Sequence, residues 1–289
     1  MSATVVTTNI RRAALFSGPV LAVFAALLML QSGWAKPPAF VTGITILCAV
    51  WWIFEAVPLP VTALVPLALF PPLAVLDHQS IALAYGSPLI LLMLGGFILS
   101  AAMASSGAHR RIALIMVNLF GKRSDRGLVF GFMLASALLS MWVSNTATTL
   151  MLLPVALAVL ESAKNKALVV PLLLGICYAA SVGGIGTPIG TPPNLVFMKV
   201  YAENTGTELS FVQWMKWGIP VVVCFVPIIF WYLTRKLSSQ QALELPAMGK
   251  WQPAEKRVLI LFAMTALAWM LRKEPFGGWS AWLSLPGAN

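Results

Sequence analysis

The chain has 289 residues, 59% of them hydrophobic and 10% charged, with a mean hydropathy of +0.87. Soluble domains carry about 25% charged residues, so a water-soluble globule is excluded and a polytopic membrane protein is expected. A net charge of +10 would suggest nucleic acid in a soluble chain. Here membrane topology accounts for it, and no nucleic-acid partner is expected.

In chain order, the first apolar run is Ala13 to Leu30, preceded by Arg11-Arg12. Gly33-Trp34-Ala35 could pass for a signal-peptidase site, but the run is long for a signal peptide, and an uncleaved helix is expected. Phe40 to Phe54 is the second run, ending in Trp51, Trp52 and Glu55 as an aromatic and polar interface. Val61 to Leu76 is a proline-broken third, closed by Asp77-His78, and Ser87 to Ala104 is the fourth. Ala108 to Phe120 mixes His109-Arg110-Arg111 with apolar residues and reads as an amphipathic helix at the membrane surface. Cys48, Cys177 and Cys224 lie in apolar runs without paired or ligand spacing, and read as small core residues.

Ser144-Asn145-Thr146 then divides two apolar arms, Gly127 to Val143 and Ala147 to Leu160. A spanning helix needs about 20 residues, and neither arm reaches that. Ser-Asn-Thr caps helices well and fits their interiors badly. The expected structure is a re-entrant hairpin with its polar tip near mid-membrane, where irregular backbone is tolerated if buried or lining a watery cavity. The alternative is one long helix, Gly127 to Glu161, with a polar kink at a helix contact. At such a tip, the free N–H groups of the second arm favour an anion, and the oxygens around it favour a hard cation. Ala167 to Ser181 runs into a second break, Gly183 to Asn194, rich in glycine and proline (Gly186, Pro188, Gly190, Pro192 and Pro193 follow the opening Gly183-Gly184), and so must be locally unwound. Its freed carbonyls need a partner, either a cation or neighbouring helices. Leu195 to Tyr201 resumes the helix, Trp217 to Leu233 is a clean span, Arg235 to Lys256 is a polar loop, and Arg257 to Met270 begins another helix.

Charge tests this arrangement. With the N-terminus, the 109–126 segment, the hairpin's exit turn and the 235–257 loop on one side, that side holds every Lys and Arg except Lys36, Lys199, Lys216, Arg272 and Lys273. The positive-inside rule makes that side cytoplasmic. A single long helix would strand Lys164 and Lys166 on the other side, which disfavours it. No Lys or Arg lies between Arg126 and Lys164 or between Lys166 and Lys199. An anion at the tip would therefore need charge brought by a cotransported cation. No acid lies between Asp125 and Glu161 or between Glu161 and Glu203, so sodium is expected over a proton relay. Glu55 reads as interfacial, and His78 and His109 as carrying no mechanism. An intramembrane enzyme would need a nucleophile with a base, paired acids or a metal motif; none is present in the spans, and an enzyme is not expected.

The segment Met141-Trp142-Val143-Ser144-Asn145-Thr146-Ala147-Thr148, followed by Gly190-Thr191-Pro192-Pro193-Asn194, resembles the divalent-anion/sodium symporter family, the dicarboxylate, citrate and sulfate carriers. Trp51-Trp52-Ile53-Phe54-Glu55-Ala56-Val57-Pro58-Leu59-Pro60-Val61-Thr62 resembles that family's second-to-third helix signature. The resemblance implies an all-α fold of two inverted repeats, each with a hairpin and an unwound helix, in homodimers that move a transport domain against a scaffold. It implies sodium at Ser140, Ser144, Asn145 and Gly190, a substrate carboxylate at Asn145 and Thr146, and Thr187, Thr191, Pro193 and Asn194 around them. A second Ser-Asn-Thr tip is absent from these residues, so the chain reads as the first repeat with most of the second missing.

The expected divisions are scaffold helices at 1–107, the interfacial helix and basic turn at 108–126, and the hairpin at 127–163. The unwound transport-domain helix follows at 164–205, a spanning helix and cytoplasmic loop at 206–257, and the start of a second repeat at 258–289. The expected function is sodium-coupled transport of divalent anions, with succinate, malate or fumarate foremost, across the cytoplasmic membrane by a partial transporter whose N-terminus is cytoplasmic. The alternative is a non-transporting membrane subunit or a remnant of such a transporter gene.

Overall fold

The structure, a computed structural model, describes residues 3–121, 124–162, 165–237, 249–273 and 278–283. Among the described residues it is all helical, with α1 to α13 in chain order and no strand. Five segments are long and apolar enough to cross a membrane: Thr8–Gln31, Lys36–Ile53, His78–Ser106, Lys166–Gly186 and Phe211–Thr234. The chain forms two compact units, residues 1–90 and 91–289.

In the first unit, α1 (Ala3–Gln31) and α2 (Lys36–Ile53) run side by side after a short turn. Ala14, Ala22 and Ala39 are buried there with Ile44 and Leu47; small side chains let membrane helices approach closely. Glu55 follows α2 with φ 47 and pairs with Arg11. Both side chains are more than half exposed, so the pair adds little stability. The third apolar run is helical only as α3 (Leu59–Leu69); Pro71-Pro72 turns the chain before Leu76.

Asp77 does more than close that run. It caps α4 (His78–Tyr85), accepting hydrogen bonds from the Ser80 amide at 2.7 Å and the Ser80 hydroxyl at 2.9 Å. Those two bonds hold its carboxyl below the usual carboxylate range. Apolar periodicity alone does not reveal this short helix.

The second unit continues from α5 (Pro88–Ser106) into α6 (Ala108–Phe120), whose bounds match the amphipathic stretch read from the sequence. Ala108, Ala113, Leu114 and Val117 are buried on one face of α6, while Arg110 and Leu119 are exposed. Next come α7 (Asp125–Ser140), α8 (Asn145–Ser162), α9 (Val169–Gly183), α10 (Pro192–Thr205), α11 (Phe211–Thr234), α12 (Pro253–Met270) and α13 (Gly278–Trp282).

The core lies where α7 packs on α9 and α8. Leu128, Val129, Phe132 and Met133 of α7 are fully buried, as are Leu172 and Ala179 of α9 and Leu152 and Ala156 of α8. In lipid, close packing and interhelical hydrogen bonds supply the stability that water exclusion supplies elsewhere. One such bond runs from Ser136 Oγ to the Ile176 carbonyl at 2.7 Å, with Ser136 buried in the seam.

The cysteines correct the sequence reading. Cys177 and Cys224 are exposed and Cys48 is half-buried. The buried face of α9 carries Leu172, Gly175, Ile176 and Ala179, and that of α11 carries Trp214, Gly218, Val222 and Val226. A membrane helix is apolar all round, so an apolar run does not tell core from lipid-facing positions.

Candidate cation and anion site at the hairpin tip

The hairpin is built from its caps. Ser124 starts α7 by accepting from the Gly127 amide at 3.0 Å, and Asp125 adds a carboxylate to the first turn, where the helix dipole favours it. The 16 residues of α7 and 18 of α8 extend about 24 and 27 Å. Between them, residues 141–144 leave the helix and the chain turns back. Beyond α8, Asn165 donates to Asp125 Oδ2 at 2.8 Å. The two ends of the hairpin therefore meet on one side, and the single long helix is ruled out. Lys164 lies outside the described residues.

At the tip, Ser144 Oγ accepts from the Ala147 amide at 3.3 Å and caps α8. Ser140, fully buried one turn before Ser144, donates to Asn145 Oδ1 at 2.6 Å. Thr146 is exposed in the first turn of α8. The tip stands beside the first turn of α11, where the Trp142 ring stacks on Phe211 at 6.0 Å and meets Phe262 of α12 at 5.3 Å.

The second break is narrower than its glycines and prolines suggest. It covers 184–191, opening with a 3-10 turn at Gly184–Gly186. Pro192 and Pro193 do not extend it; they occupy the first turn of α10, where a proline's missing N–H costs nothing. Neighbours satisfy three of its carbonyls. Asn194 Nδ2 donates to Gly184 and Thr187 carbonyls, each at 2.8 Å, and Trp214 Nε1 donates to Ile185 at 2.8 Å. Thr187, fully buried, donates its hydroxyl to the Met141 carbonyl and so ties the break to the hairpin.

Gly184 and Gly190 close the site. A Cβ at 184 would lie 2.5 Å from Asn145 Oδ1, and one at 190 would lie 2.4 Å from the Gly184 carbonyl. Only glycines let the Asn145 amide and the two strands of the break come this close. Ser140, Asn145, Gly184 and Gly190 thus form one group, held from outside by Thr187 and Asn194. Thr191 begins α10 through its backbone, and Pro193 is exposed on that helix. The sequence reading missed Gly184, Met141 and Trp214. The indole was the available signal, since a Trp N–H buried in an apolar helix needs an acceptor.

Every side-chain donor in the group is a neutral oxygen. Among the described residues no three His, Cys, Asp or Glu side chains gather into a metal cluster. Hydroxyl, amide and carbonyl oxygens suit a hard cation and not a soft one, so this donor set fits sodium. A helix start of this kind suits a carboxylate, and Thr146 is exposed there.

The family model described as "Citrate transporter" matches residues 49–282. The sodium-dependent dicarboxylate transporter SdcS of Staphylococcus saprophyticus is 35% identical over 288 aligned residues, covering 92% of this chain and 55% of that protein. SdcS of Staphylococcus aureus strain USA300 is 34% identical over 287, with the same coverage. The chain spans about half the length of these relatives. With its membrane-spanning helices, it is a multi-pass membrane protein. The chain belongs to the citrate transporter family.

Proposed function

We propose that this chain serves sodium-coupled transport of small divalent anions, dicarboxylates foremost, across the cytoplasmic membrane, as part of a homodimer whose N-termini are cytoplasmic. The observation that carries the reading is the meeting of Asn145 with Gly184, against whose carbonyl Gly190 packs in turn, which joins the hairpin tip to the unwound segment in one oxygen-lined group. Sodium bound there would neutralise part of a dicarboxylate's charge. Ser140, Ser144, Asn145 and the Gly190 region would hold the ion, while Asn145 and Thr146 would orient one carboxylate at the start of α8. No Lys or Arg occurs between Arg126 and Lys164, so anion binding would depend on the cation, which is the physical basis of coupling.

The test is uptake of labelled succinate, citrate and sulfate into proteoliposomes under a sodium gradient. It is run for these 289 residues and for a chain extended to the relatives' length. Sodium-dependent uptake that is lost in Asn145→Ala is the expected result. Equal uptake under a potassium gradient would overturn the coupling, and uptake unaffected by Asn145→Ala would overturn the site.

A further inference from the structure

Thr148 departs from the pattern of most helical threonines in this chain. Thr42, Thr45, Thr149, Thr205, Thr234 and Thr265 each donate the hydroxyl to the carbonyl four residues back. For Thr148 that carbonyl belongs to Ser144, and it accepts only the Thr148 backbone amide, at 2.9 Å. Thr148 Oγ1 is buried without any hydrogen-bond partner, and the residue is 0% exposed. The other buried side-chain polar atoms in this state among the described residues, Trp51 Nε1 and Thr62 Oγ1, lie in the first unit.

A buried hydroxyl without a partner is costly, and it requires an explanation such as an ion or a water. Its place supplies one. Asn145, Thr148 and Leu152 are spaced to share one face of α8, and Leu152 is fully buried in the core that α8 forms with α9. Thr148 therefore sits one helical turn from Asn145 on the buried side of α8, and α9, against which α8 packs, leads directly into Gly184. The local bond to Ser144 was available and is not made, so the hydroxyl oxygen is kept for something else.

We infer that Thr148 Oγ1 is a further oxygen of the cation group at the hairpin tip, the floor of a site whose walls are Ser140, Asn145 and the Gly184–Gly190 break. This assignment rests on the sodium-coupled reading above. A neutral hydroxyl beneath the amide adds a hard ligand without adding charge, so the net positive charge offered to the anion is preserved.

The experiment is thermal unfolding of the full chain in detergent across a sodium titration, with choline replacing sodium. Thr148→Val keeps the side chain's outline and removes the oxygen. Without sodium it is expected to unfold at the same temperature as the unaltered chain or higher, because an unsatisfied group has been removed. Its half-maximal sodium concentration is expected to rise about tenfold, while Thr148→Ser keeps the native value. An unchanged sodium midpoint in Thr148→Val overturns the assignment. So does an equal rise in Thr148→Ser, which would assign the effect to the methyl group, and so does a loss of stability in Thr148→Val without sodium, which would reveal a structural partner. If the unaltered chain shows no sodium response, the sodium reading itself fails and takes this proposal with it; a response in the unaltered chain and in Thr148→Val alike removes only Thr148.

Discussion

Asn165 donates a hydrogen bond to Asp125 across the neck of the hairpin, 2.8 Å from nitrogen to Oδ2. Asp125 is 2% exposed, so its carboxylate depends on protein partners, and Asn165 also caps the turn into α9 by accepting from the Ala167 amide at 3.0 Å. One side chain thus fixes where the hairpin starts, where it ends and where the next helix begins.

Asn165→Ala should therefore destabilise the second unit by about 1–3 kcal/mol, the cost of leaving a buried acceptor without its donor. Thermal unfolding, with limited proteolysis near residues 160–168, measures it. An unchanged melting temperature would show that the neck bond is not needed to hold the arms together.

Gly184→Ala separates a backbone effect from a site effect. Gly184 has φ −57, which alanine adopts without strain. What the new methyl meets is Asn145 Oδ1, 2.5 Å away. The amide must swing off Ser140, so helical content should stay native while the sodium midpoint for protecting the hairpin from proteolysis rises about tenfold or more. Native sodium protection in this variant would separate Asn145 from the cation.

The hairpin, the amphipathic helix α6 and the tip were legible because their signals are local. A polar triplet between two arms too short to span, and cations on one face of an apolar helix, can be read without knowing any neighbour. The contacts across the fold were not legible in this way. Which group satisfies the Ile185 carbonyl, 29 residues from Trp214, depends on how α11 lies against the break. The same holds for Thr187 on Met141, for the exposed positions of Cys177 and Cys224, and for Thr148, whose peculiarity is a missing bond. Asn145 was singled out by the local tip pattern, and the resemblance gave Gly190 and Asn194 their expected roles; the approach of Gly184 to Asn145 needed the packing.

Arg111 and Glu255 make a compact ionic knot between α6 and α12. The guanidinium Nε is 2.6 Å from Glu255 Oε2, the other two nitrogens donate to the Gly249 and Lys250 carbonyls at 3.0 and 2.8 Å, and the group lies 4.5 Å from the Trp251 ring centroid. The Gln252 amide and then Arg111 hold the Glu255 carboxyl below its ordinary range. A depressed pKa gives stability that is present above the unfolded value, about 4.3, and lost as pH falls through the lower folded one. Glu255→Gln should thus melt several degrees lower at neutral pH by a gap that is constant from about pH 6 to 8 and shrinks only in acid. Arg111→Lys should also lose stability, because a single ammonium cannot make the fork and the stack together. A gap that persists unchanged to about pH 3 would contradict the ionic account.

Contacts of this kind pair the ends of the second unit's elements. Arg126 donates to the carbonyls of Leu237 and Arg235, which brings the end near 235 to the hairpin neck, and Arg111 to those of Gly249 and Lys250, which brings the start of α6 to the approach to α12. At other helix ends, Lys273 after α12 pairs with Glu208 before α11 at 2.9 Å. In the proposed topology the positive-inside rule would put both of the first two pairs, which are rich in Lys and Arg, in the cytoplasm. In a chain whose three native cysteines are replaced by serine, single cysteines at Glu161, Lys236 and Lys250 should react with a membrane-impermeant maleimide only when the cytoplasmic face is open to it. A cysteine at Glu208 should react from the opposite face. All four positions lie outside the buried core, so weak labelling would reflect sidedness and not burial. Glu161 decides the most. It ends an arm that a single crossing from Gly127 would carry to the far side, and labelling at 161 from the same face as 208 would reverse the hairpin in the membrane and remove the positive-inside assignment with it.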